Sequence, residues 1–313
     1  MKKEISLIKD ILSEIINFEK IICIRHINPD GDAFGSQNGL KKIINYNWPN
    51  KKVYACGTNV DFFRSLGQMD QLKEEDFIDA LVIITDTGSI PRIDSANWKQ
   101  AKKVIKIDHH PNENKYGDIQ WVDSSFTSAS EMIGYFALKC NLKINSDIAQ
   151  TILFGITTDT NRFISKNVSS RTFDVCSFLM TPKWNIIDLY NRVYTKKLTF
   201  LQAQAEVIQN SKVENKVGAI FLTKNIINKY NIPYDQNDIF VNLFQGIEEV
   251  EISVSFSANI DETYRVEFRS NKTPLKSIAE KYGGGGHPLI AGATINSLDI
   301  AESIIKDLKS IVK

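Results

Sequence analysis

Short apolar runs alternate with segments of helical periodicity through the first half of the chain. The helical spacing of apolar residues predicts helices near residues 5–16, 34–45, 128–140, 147–158 and 170–180. Three apolar runs predict buried strands at residues 21–24, 80–85 and 104–107, and a further strand is predicted at 52–55. Strands and helices that alternate in this way are typical of a mostly parallel, doubly wound sheet covered on both faces. The first half is therefore predicted to be an α/β domain.

The pattern changes in the second half of the chain. A polar and then helical segment at 183–200 predicts a connector. Beyond it, residues 251–257 and 264–268 alternate with period two, as in a half-exposed sheet. Helical stretches at 274–282 and 297–312 flank a run of glycines at 283–286. We therefore expect a first domain at 1–183, a linker helix at 184–200 and a smaller α/β domain at 201–313, with a cleft between the domains.

Composition and charge narrow the class of protein. The chain has 313 residues and a net charge of +1, so no extended basic surface is available for a long nucleic acid. Charged residues interrupt the apolar positions near the start, which predicts an amphipathic helix rather than a signal peptide, and no apolar run has membrane-spanning length. The four cysteines have no metal-ligand spacing, which favours free thiols in a reducing cytoplasm. They are Cys23, Cys56, Cys140 and Cys176.

Acidic and imidazole side chains stand where the apolar runs stop. The first run is followed by His26 to Asp32, the second by Asp86, and the third by Asp108-His109-His110. Another acidic residue, Asp159, ends an apolar helical run. Because functional groups gather at the carboxyl ends of parallel strands, we expect these side chains to meet at one edge of the sheet.

Carboxylates crowded together in this way require cations between them. Mixed oxygen and nitrogen ligands suit manganese, magnesium, zinc or iron better than calcium or copper. A shared carboxylate would hold two ions about 3.5–4 Å apart, the spacing of two-metal phosphoryl chemistry. Each motif alone is also compatible with an ordinary solvated turn or a structural histidine pair. The chain has only four histidines, however, and three of them lie in these motifs.

The fourth histidine directly follows the glycine run. His287 comes after Gly283 to Gly286, and Arg269 with Ser270 stands upstream at a strand end. Successive glycines allow backbone N–H groups to approach an anion closely, although a flexible loop is the plainer interpretation. The run is neither a Walker loop nor a dinucleotide fingerprint, because it lacks the Lys-Ser/Thr and the βαβ context of those motifs. We expect a phosphate or base pocket here.

Together the motifs resemble those of the DHH phosphoesterase family, named after the run seen here as Asp108-His109-His110. The resemblance extends through Phe268-Arg269-Ser270 and Gly283 to His287, which are similar to the associated DHHA1 substrate domain. It thus covers nearly the whole chain. It implies a doubly wound DHH catalytic domain followed by a DHHA1 domain with a mixed sheet, and an active site in the cleft between them.

The resemblance also implies roles for individual residues. The first metal ion would be held by His26, Asp30 and Asp86, and the second by Asp32, Asp86, His109 and Asp159. Among the catalytic residues, Asp86 would bridge the ions, Asp108 would orient a ligand and His110 would face the scissile phosphate. The residues implied to bind substrate are Arg269, Ser270, Gly284, Gly285, Gly286 and His287. The usual ion of the family is Mn²⁺, with Mg²⁺ or Co²⁺ as alternatives.

Two positions depart from the family pattern. Asn161 replaces a common glycine after Asp159-Thr160, and Phe34 replaces an aliphatic residue after Asp32-Ala33. Neither change removes an implied ligand. Asparagine tolerates left-handed backbone, so the turn after Asp159 can be kept.

Among subfamilies, the chain most resembles the short type that combines oligoribonuclease (nanoRNase) and 3′-phosphoadenosine 5′-phosphate (pAp) phosphatase activity. The implied partner is a short single-stranded RNA or a nucleotide, with no membrane partner, and a homodimer is left open. The rival functions are a phosphodiesterase of linear or cyclic dinucleotides, a family II-like pyrophosphatase and a non-catalytic nucleotide-binding module. A non-catalytic module normally lacks some of the metal-ligand residues, and none of the implied ones is missing from this sequence.

Overall fold

The computed structural model describes residues 2–60, 63, 67–112, 114–164 and 167–312. The chain divides into two compact units, Met1–Tyr194 and Thr195–Lys313. The division lies within the segment expected to connect two domains. That segment is not the single linker helix predicted at 184–200, because one helix ends at Tyr194 and the next begins at Leu198.

The first unit is built on a five-stranded sheet in which every neighbouring pair is parallel. Its strands are β1 (Lys20–Ile24), β2 (Lys52–Cys56), β3 (Leu81–Thr85), β4 (Lys103–Asp108) and β5 (Ile119–Val122). Their order in the sheet is β2-β1-β3-β4-β5. In this order the chain reverses direction across the sheet between β1 and β3, and such a switch point opens a crevice at the carboxyl ends of the strands.

The α-helices of the first unit share one hydrophobic core with the sheet. They are α1 (Lys2–Asn17), α2 (Gly31–Asn47), α3 (Ala129–Lys139), α4 (Ser146–Asp159), α5 (Ser170–Leu179) and α6 (Ile186–Tyr194). Their apolar side chains pack with Cys23, Ile83 and Ile105 of the strands. The opposite face, which carries Ile22 and Val82, packs instead against short 3₁₀ segments and loops that include Phe77. The predicted cover on both faces is present, but α-helices form only one side of it among the described residues.

The second unit contains a mixed six-stranded sheet, as the resemblance implied. Its strands are β6 (Lys212–Glu214), β7 (Val217–Leu222), β8 (Ile252–Ala258), β9 (Tyr264–Ser270), β10 (Gly285–Gly286) and β11 (Ile290–Ile295), in the order β10-β11-β9-β8-β7-β6. The β7–β8 pair is parallel and the others are antiparallel. The helices are α7 (Leu198–Gln209), α8 (Lys224–Tyr230), α9 (Lys276–Lys281) and α10 (Ala301–Ile311), with a 3₁₀ segment at Tyr234–Phe244.

Two hydrophobic clusters cover the two faces of this sheet. Val254 and Phe268 pack with the helices α9 and α10, whereas Ile220 packs with α7, α8 and the 3₁₀ segment. Within the described part of the chain, no helix has both the length and the apolar character needed to cross a lipid bilayer.

Candidate metal centre

Asp86 lies at the switch point of the parallel sheet, directly after β3. Its carboxylate is buried, with Oδ2 3.4 Å from Nε2 of His26 and Oδ1 3.4 Å from both Nε2 of His109 and Nδ1 of His110. Its backbone adopts the left-handed conformation, with φ of 50°. No described group makes a hydrogen bond to Oδ1. One carboxylate therefore faces imidazoles from the ends of β1 and β4, as a bridging ligand would.

The sequence motifs assemble into groups that could each hold a metal ion. His26, Asp30 and Asp86 bring one ligand atom each to within 4.8 Å of one another, and Asp32, His109 and Asp159 do the same. His109 joins these groups, because its Nε2 lies within 3.8 Å of oxygens of Asp32, Asp86 and Asp159. All six side chains that the resemblance implies as ligands thus converge on one edge of the sheet.

A third possible group consists of Asp86, His109 and His110. Within it, His110 differs from the other two residues by its exposure and by its partner. Its side chain is 43% exposed, and its Nδ1 lies 2.9 Å from Oδ1 of Asp108. Because Asp108 occupies Nδ1, the exposed Nε2 is the atom that His110 can present to a substrate.

The backbone fixes the orientation of the first histidine. Nδ1 of His26 lies 2.8 Å from the carbonyl oxygen of Ile27, and its Nε2 points at Asp86. If Nδ1–H donates to that carbonyl, the lone pair of Nε2 faces the carboxylates, as metal coordination requires. Nη2 of Arg92 also lies 3.0 Å from this Nδ1. Because a guanidinium group can only donate, this contact is not a hydrogen bond in the tautomer in which Nδ1–H donates to Ile27. Arg92 was not predicted from the sequence, since an exposed arginine in a short 3₁₀ segment carries no spacing signal.

Helix N-termini hold the two acidic residues of the first motif. The buried carboxylate of Asp32 accepts hydrogen bonds of 2.7 Å from the backbone N–H groups of Ala129 and Ser130, at the start of α3. Asp30 caps α2, because its Oδ1 accepts from the N–H groups of Asp32 and Ala33 at 3.0 Å. Both carboxylates are thereby fixed in orientation, with the helix dipoles favouring their negative charge.

The electrostatics of the cluster call for a cation. Burial and the charges of Asp86 and Asp159 raise the pKa of Asp32 well above its usual range, and burial raises the pKa of Asp159 to about 6. Although burial opposes the change, the carboxylates of Asp86 and Asp32 raise the pKa of His109 to about 10. Three carboxylates around one imidazole therefore attract a positive charge. This excess of negative charge, together with the Oδ1 of Asp86 that accepts no hydrogen bond from a described group, fits a divalent metal ion.

The two departures from the family pattern are accommodated locally. Asn161 has a φ of 46°, and Arg162 and Phe163 continue the left-handed backbone with φ of 63° and 71°. Asparagine thus takes the conformation for which glycine is the usual residue. Phe34 is buried and stacks on Phe63, with ring centroids 4.8 Å apart. Its role is packing beneath the site.

A pocket of about 560 Å³ lies in the second unit, between β9 and the glycine hairpin. Arg265, Glu267 and Arg269 line it from β9, and the glycines line it from the hairpin. The guanidinium groups of Arg265 and Arg269 approach the same oxygen of Glu267, at 3.0 and 3.6 Å. Arg265 and Glu267 were not predicted as site residues, although the period-two pattern of β9 places both on the same face as Arg269.

The glycine run forms a tight hairpin rather than an open loop. Gly285 and Gly286 pair with β11, and a Cβ on Gly286 would meet the carbonyl oxygen of Ile290 at 2.6 Å. Gly284, Gly285 and Gly286 all line the pocket with Arg269.

Ser270 and His287 are not among the residues that line this pocket. The hydroxyl of Ser270 accepts hydrogen bonds from the N–H groups of Lys272 and Thr273 and so forms a turn. His287 is exposed in the turn between β10 and β11.

Both units match known domain families. Residues 20–156 match the DHH family, N-terminal domain, and residues 215–313 match the DHHA1 domain. The chain is 37% identical to the probable bifunctional oligoribonuclease and PAP phosphatase NrnA of Streptococcus mutans, over 97% of this chain and 99% of that protein. It is 35% identical to the bifunctional oligoribonuclease and PAP phosphatase NrnA of Bacillus subtilis, over 97% and 98%.

A solved structure has the same fold. An exopolyphosphatase-related protein from Bacteroides fragilis matches with a TM-score of 0.86 and 23% identity, covering 98% of this chain and 97% of that chain. Three observations lead to the same family. They are the converging aspartates and histidines, the mixed sheet of the second unit and the near full-length relatives. This chain belongs to the DHH family and carries a C-terminal DHHA1 domain.

Proposed function

We propose that this protein is a metal-dependent phosphoesterase that hydrolyses short oligoribonucleotides to mononucleotides and pAp to AMP. The observation that carries the proposal is the buried Asp86 carboxylate, shared between His26 on one side and His109 on the other. The relatives named as bifunctional oligoribonuclease and PAP phosphatase support this substrate class.

The geometry supports a site for two divalent ions, for which Mn²⁺ is our proposal. Three side chains, His26, Asp30 and Asp86, would hold one of them. Asp86 would also hold the other, together with Asp32, His109 and Asp159. When bound, such a pair supplies Lewis-acid activation of water and neutralises charge on the phosphate. The protein's own contribution is to hold these carboxylates and imidazoles in place before substrate arrives, through the amide hydrogen bonds to Asp30 and Asp32.

His110 is proposed to contact the scissile phosphate. Its Nδ1 is directed at Asp108, which leaves the exposed Nε2 for a phosphate oxygen or for the leaving group. In the protonated imidazole, Nδ1–H donates to Asp108 and Nε2–H is a charge-assisted donor for the substrate. This pair can therefore stabilise negative charge and deliver a proton.

The second unit is proposed to select nucleotides. Arg269 offers a planar fork that suits a phosphate, and the hairpin of Gly284, Gly285 and Gly286 presents backbone without side chains. We propose that Ser270 and His287, just outside the pocket lining, assist binding at its rim. The four free cysteines agree with a reducing cytoplasm, which we propose as the location.

The length of the RNA provides the test of this function. We expect turnover with Mn²⁺ to be fastest on RNA of two to five nucleotides and to decline beyond about five, because a pocket of this size holds a small ligand. A net charge of +1 provides no basic track that would bind additional phosphates. Release of mononucleotides from a dimer-to-decamer series, with pAp as the matched small substrate, measures this. Faster turnover on a thirty-mer than on a trimer would exclude the short-substrate function.

A further inference from the structure

Lys106 is a buried cation directly behind the metal centre. It lies in β4, two residues before Asp108, and its side chain has no exposed surface. Its ammonium nitrogen donates to Oδ1 of Asn112 and to the carbonyl oxygen of Asn114, each at 3.2 Å, and lies 3.5 Å from the carbonyl oxygen of Gly88. It also stands 4.6 Å from the centre of the Tyr116 ring. Lys106 therefore contacts the loops that follow both β3 and β4.

The ammonium group also faces the carboxylate that orients His110. Nζ of Lys106 lies 3.4 Å from Oδ2 of Asp108, and both side chains are fully buried. The other oxygen of Asp108 accepts a hydrogen bond from the backbone N–H of His110 at 3.1 Å and lies 2.9 Å from its Nδ1. No described group makes a hydrogen bond to Oδ2. Lys106, Asp108 and His110 thus form one continuous row that ends at the exposed Nε2.

Packing alone does not account for a lysine at this position. The other residues in the middle of β4, Val104, Ile105 and Ile107, are apolar, and an apolar side chain would satisfy the same core. Burying an ammonium group costs several kcal/mol unless polar groups compensate it. The groups that compensate Lys106 belong to Asp108 and to the loops that carry Gly88 and Asn114. Its charge is therefore directed at the site.

We propose that Lys106 is a positioning residue that acts through Asp108 on His110. By fixing Asp108 from behind, it holds the imidazole in the orientation that turns Nε2 toward the substrate. Among the described residues, the polar partners of Lys106 are Asp108 and groups of the loops after β3 and β4, none of them a proposed metal ligand. Its effect should therefore fall on turnover rather than on metal binding. This proposal rests on the proposed phosphoesterase activity and on the role of His110 in it.

A double-mutant cycle tests whether Lys106 acts through Asp108. The variants are Lys106→Met, Asp108→Asn and the double variant, assayed for kcat and KM on bis-p-nitrophenyl phosphate and for bound manganese. We expect Lys106→Met to lower kcat about 10- to 100-fold, as loss of a supporting residue behind a site typically does, with KM and metal content near normal. The double variant should have the kcat of Asp108→Asn within about 2-fold, because both changes interrupt the same row.

Lys103 provides a matched control on the same strand. Its ammonium group is partly exposed and pairs with Glu14 at 2.7 Å, away from Asp108. Lys103→Met should keep kcat within about 2-fold of wild type, since surface ion pairs contribute little. Losses that multiply in the Lys106/Asp108 double variant would overturn the proposal, as would a Lys106→Met protein with wild-type kcat. If Lys106→Met does not fold, the double variant, which removes both buried charges, can still be compared with Asp108→Asn. A kcat of the double variant well below that of Asp108→Asn would then overturn the proposal.

A second readout does not require activity. The chain has only four histidines, so the ring nitrogens of ¹⁵N-histidine-labelled protein give four sets of signals, and His110→Ala identifies one of them. We expect the His110 ring signals to move in Lys106→Met, but not in Lys103→Met. Unchanged His110 signals in Lys106→Met would overturn the proposal for Lys106. A wild-type protein that hydrolysed none of the substrates would instead contradict only the proposed function.

Discussion

Replacing Asp86 by alanine is expected to remove bound metal and to lower kcat by at least about 10³-fold. The residue faces His26 through one oxygen and His109 and His110 through the other, so its loss weakens both proposed ion sites at once. Metal ions contribute several kcal/mol of charge stabilisation in such reactions, and each 1.4 kcal/mol corresponds to about a factor of ten in rate. Elemental analysis together with pAp hydrolysis measures both effects.

Two further variants separate bridging from ordinary coordination. Asp32→Ala should lose about one equivalent of metal and keep the fold, although the amides of Ala129 and Ser130 lose their acceptor. Asp147→Ala is the matched control, because this exposed aspartate pairs with Lys42 on the surface. It should retain full metal content and activity. Two full equivalents of metal in Asp86→Ala would contradict the bridging role.

Replacing Arg269 by alanine is expected to raise KM for pAp and for dinucleotides about 10- to 100-fold. This is about the size of effect that the loss of one charge-assisted hydrogen bond of about 1.5–3 kcal/mol would give. Hydrolysis of bis-p-nitrophenyl phosphate should be nearly unchanged, because that small ester does not need the pocket of the second unit. Steady-state kinetics on both substrate types measure the difference.

Arg269→Lys tests the geometry of the fork. It keeps the positive charge but loses the planar pair of donors, so KM should lie between those of wild type and Arg269→Ala. An equal loss on the nucleotide and on the artificial ester would instead assign Arg269 a structural role, through its contacts with Glu267 and with the carbonyl oxygen of Phe268.

Local patterns predicted the parallel sheet and the placement of its motifs. The buried runs that became β1, β3 and β4 are apolar at every central position except Lys106, and each ends where the structure places a proposed ligand or its neighbour. Lys106 was not predicted as a functional residue, because a single lysine does not break a strand pattern. In a strand that is buried on both faces, however, a lysine indicates that polar groups lie beside it.

Features that depend on distant contacts could not be predicted in this way. The amides that hold Asp32 belong to residues almost a hundred positions later, at the start of α3. The second face of the parallel sheet packs against short 3₁₀ segments that carry Phe77 and Trp98, which are too short to give a periodic signal. The glycine run pairs as β10 because β11 lies beside it, whereas its sequence alone is equally typical of a loop.

Manganese titration of metal-free protein tests the central claim most directly. After removal of metal with a chelator, we expect no hydrolysis of pAp or of an RNA trimer, and full recovery as Mn²⁺ approaches two ions per chain. A cyclic dinucleotide and pyrophosphate, assayed in parallel, should be cleaved more slowly than pAp and the trimer. Full activity in the metal-free protein would contradict a metal-dependent phosphoesterase. Faster cleavage of pyrophosphate or of the cyclic dinucleotide than of pAp and the trimer would contradict the proposed substrate class.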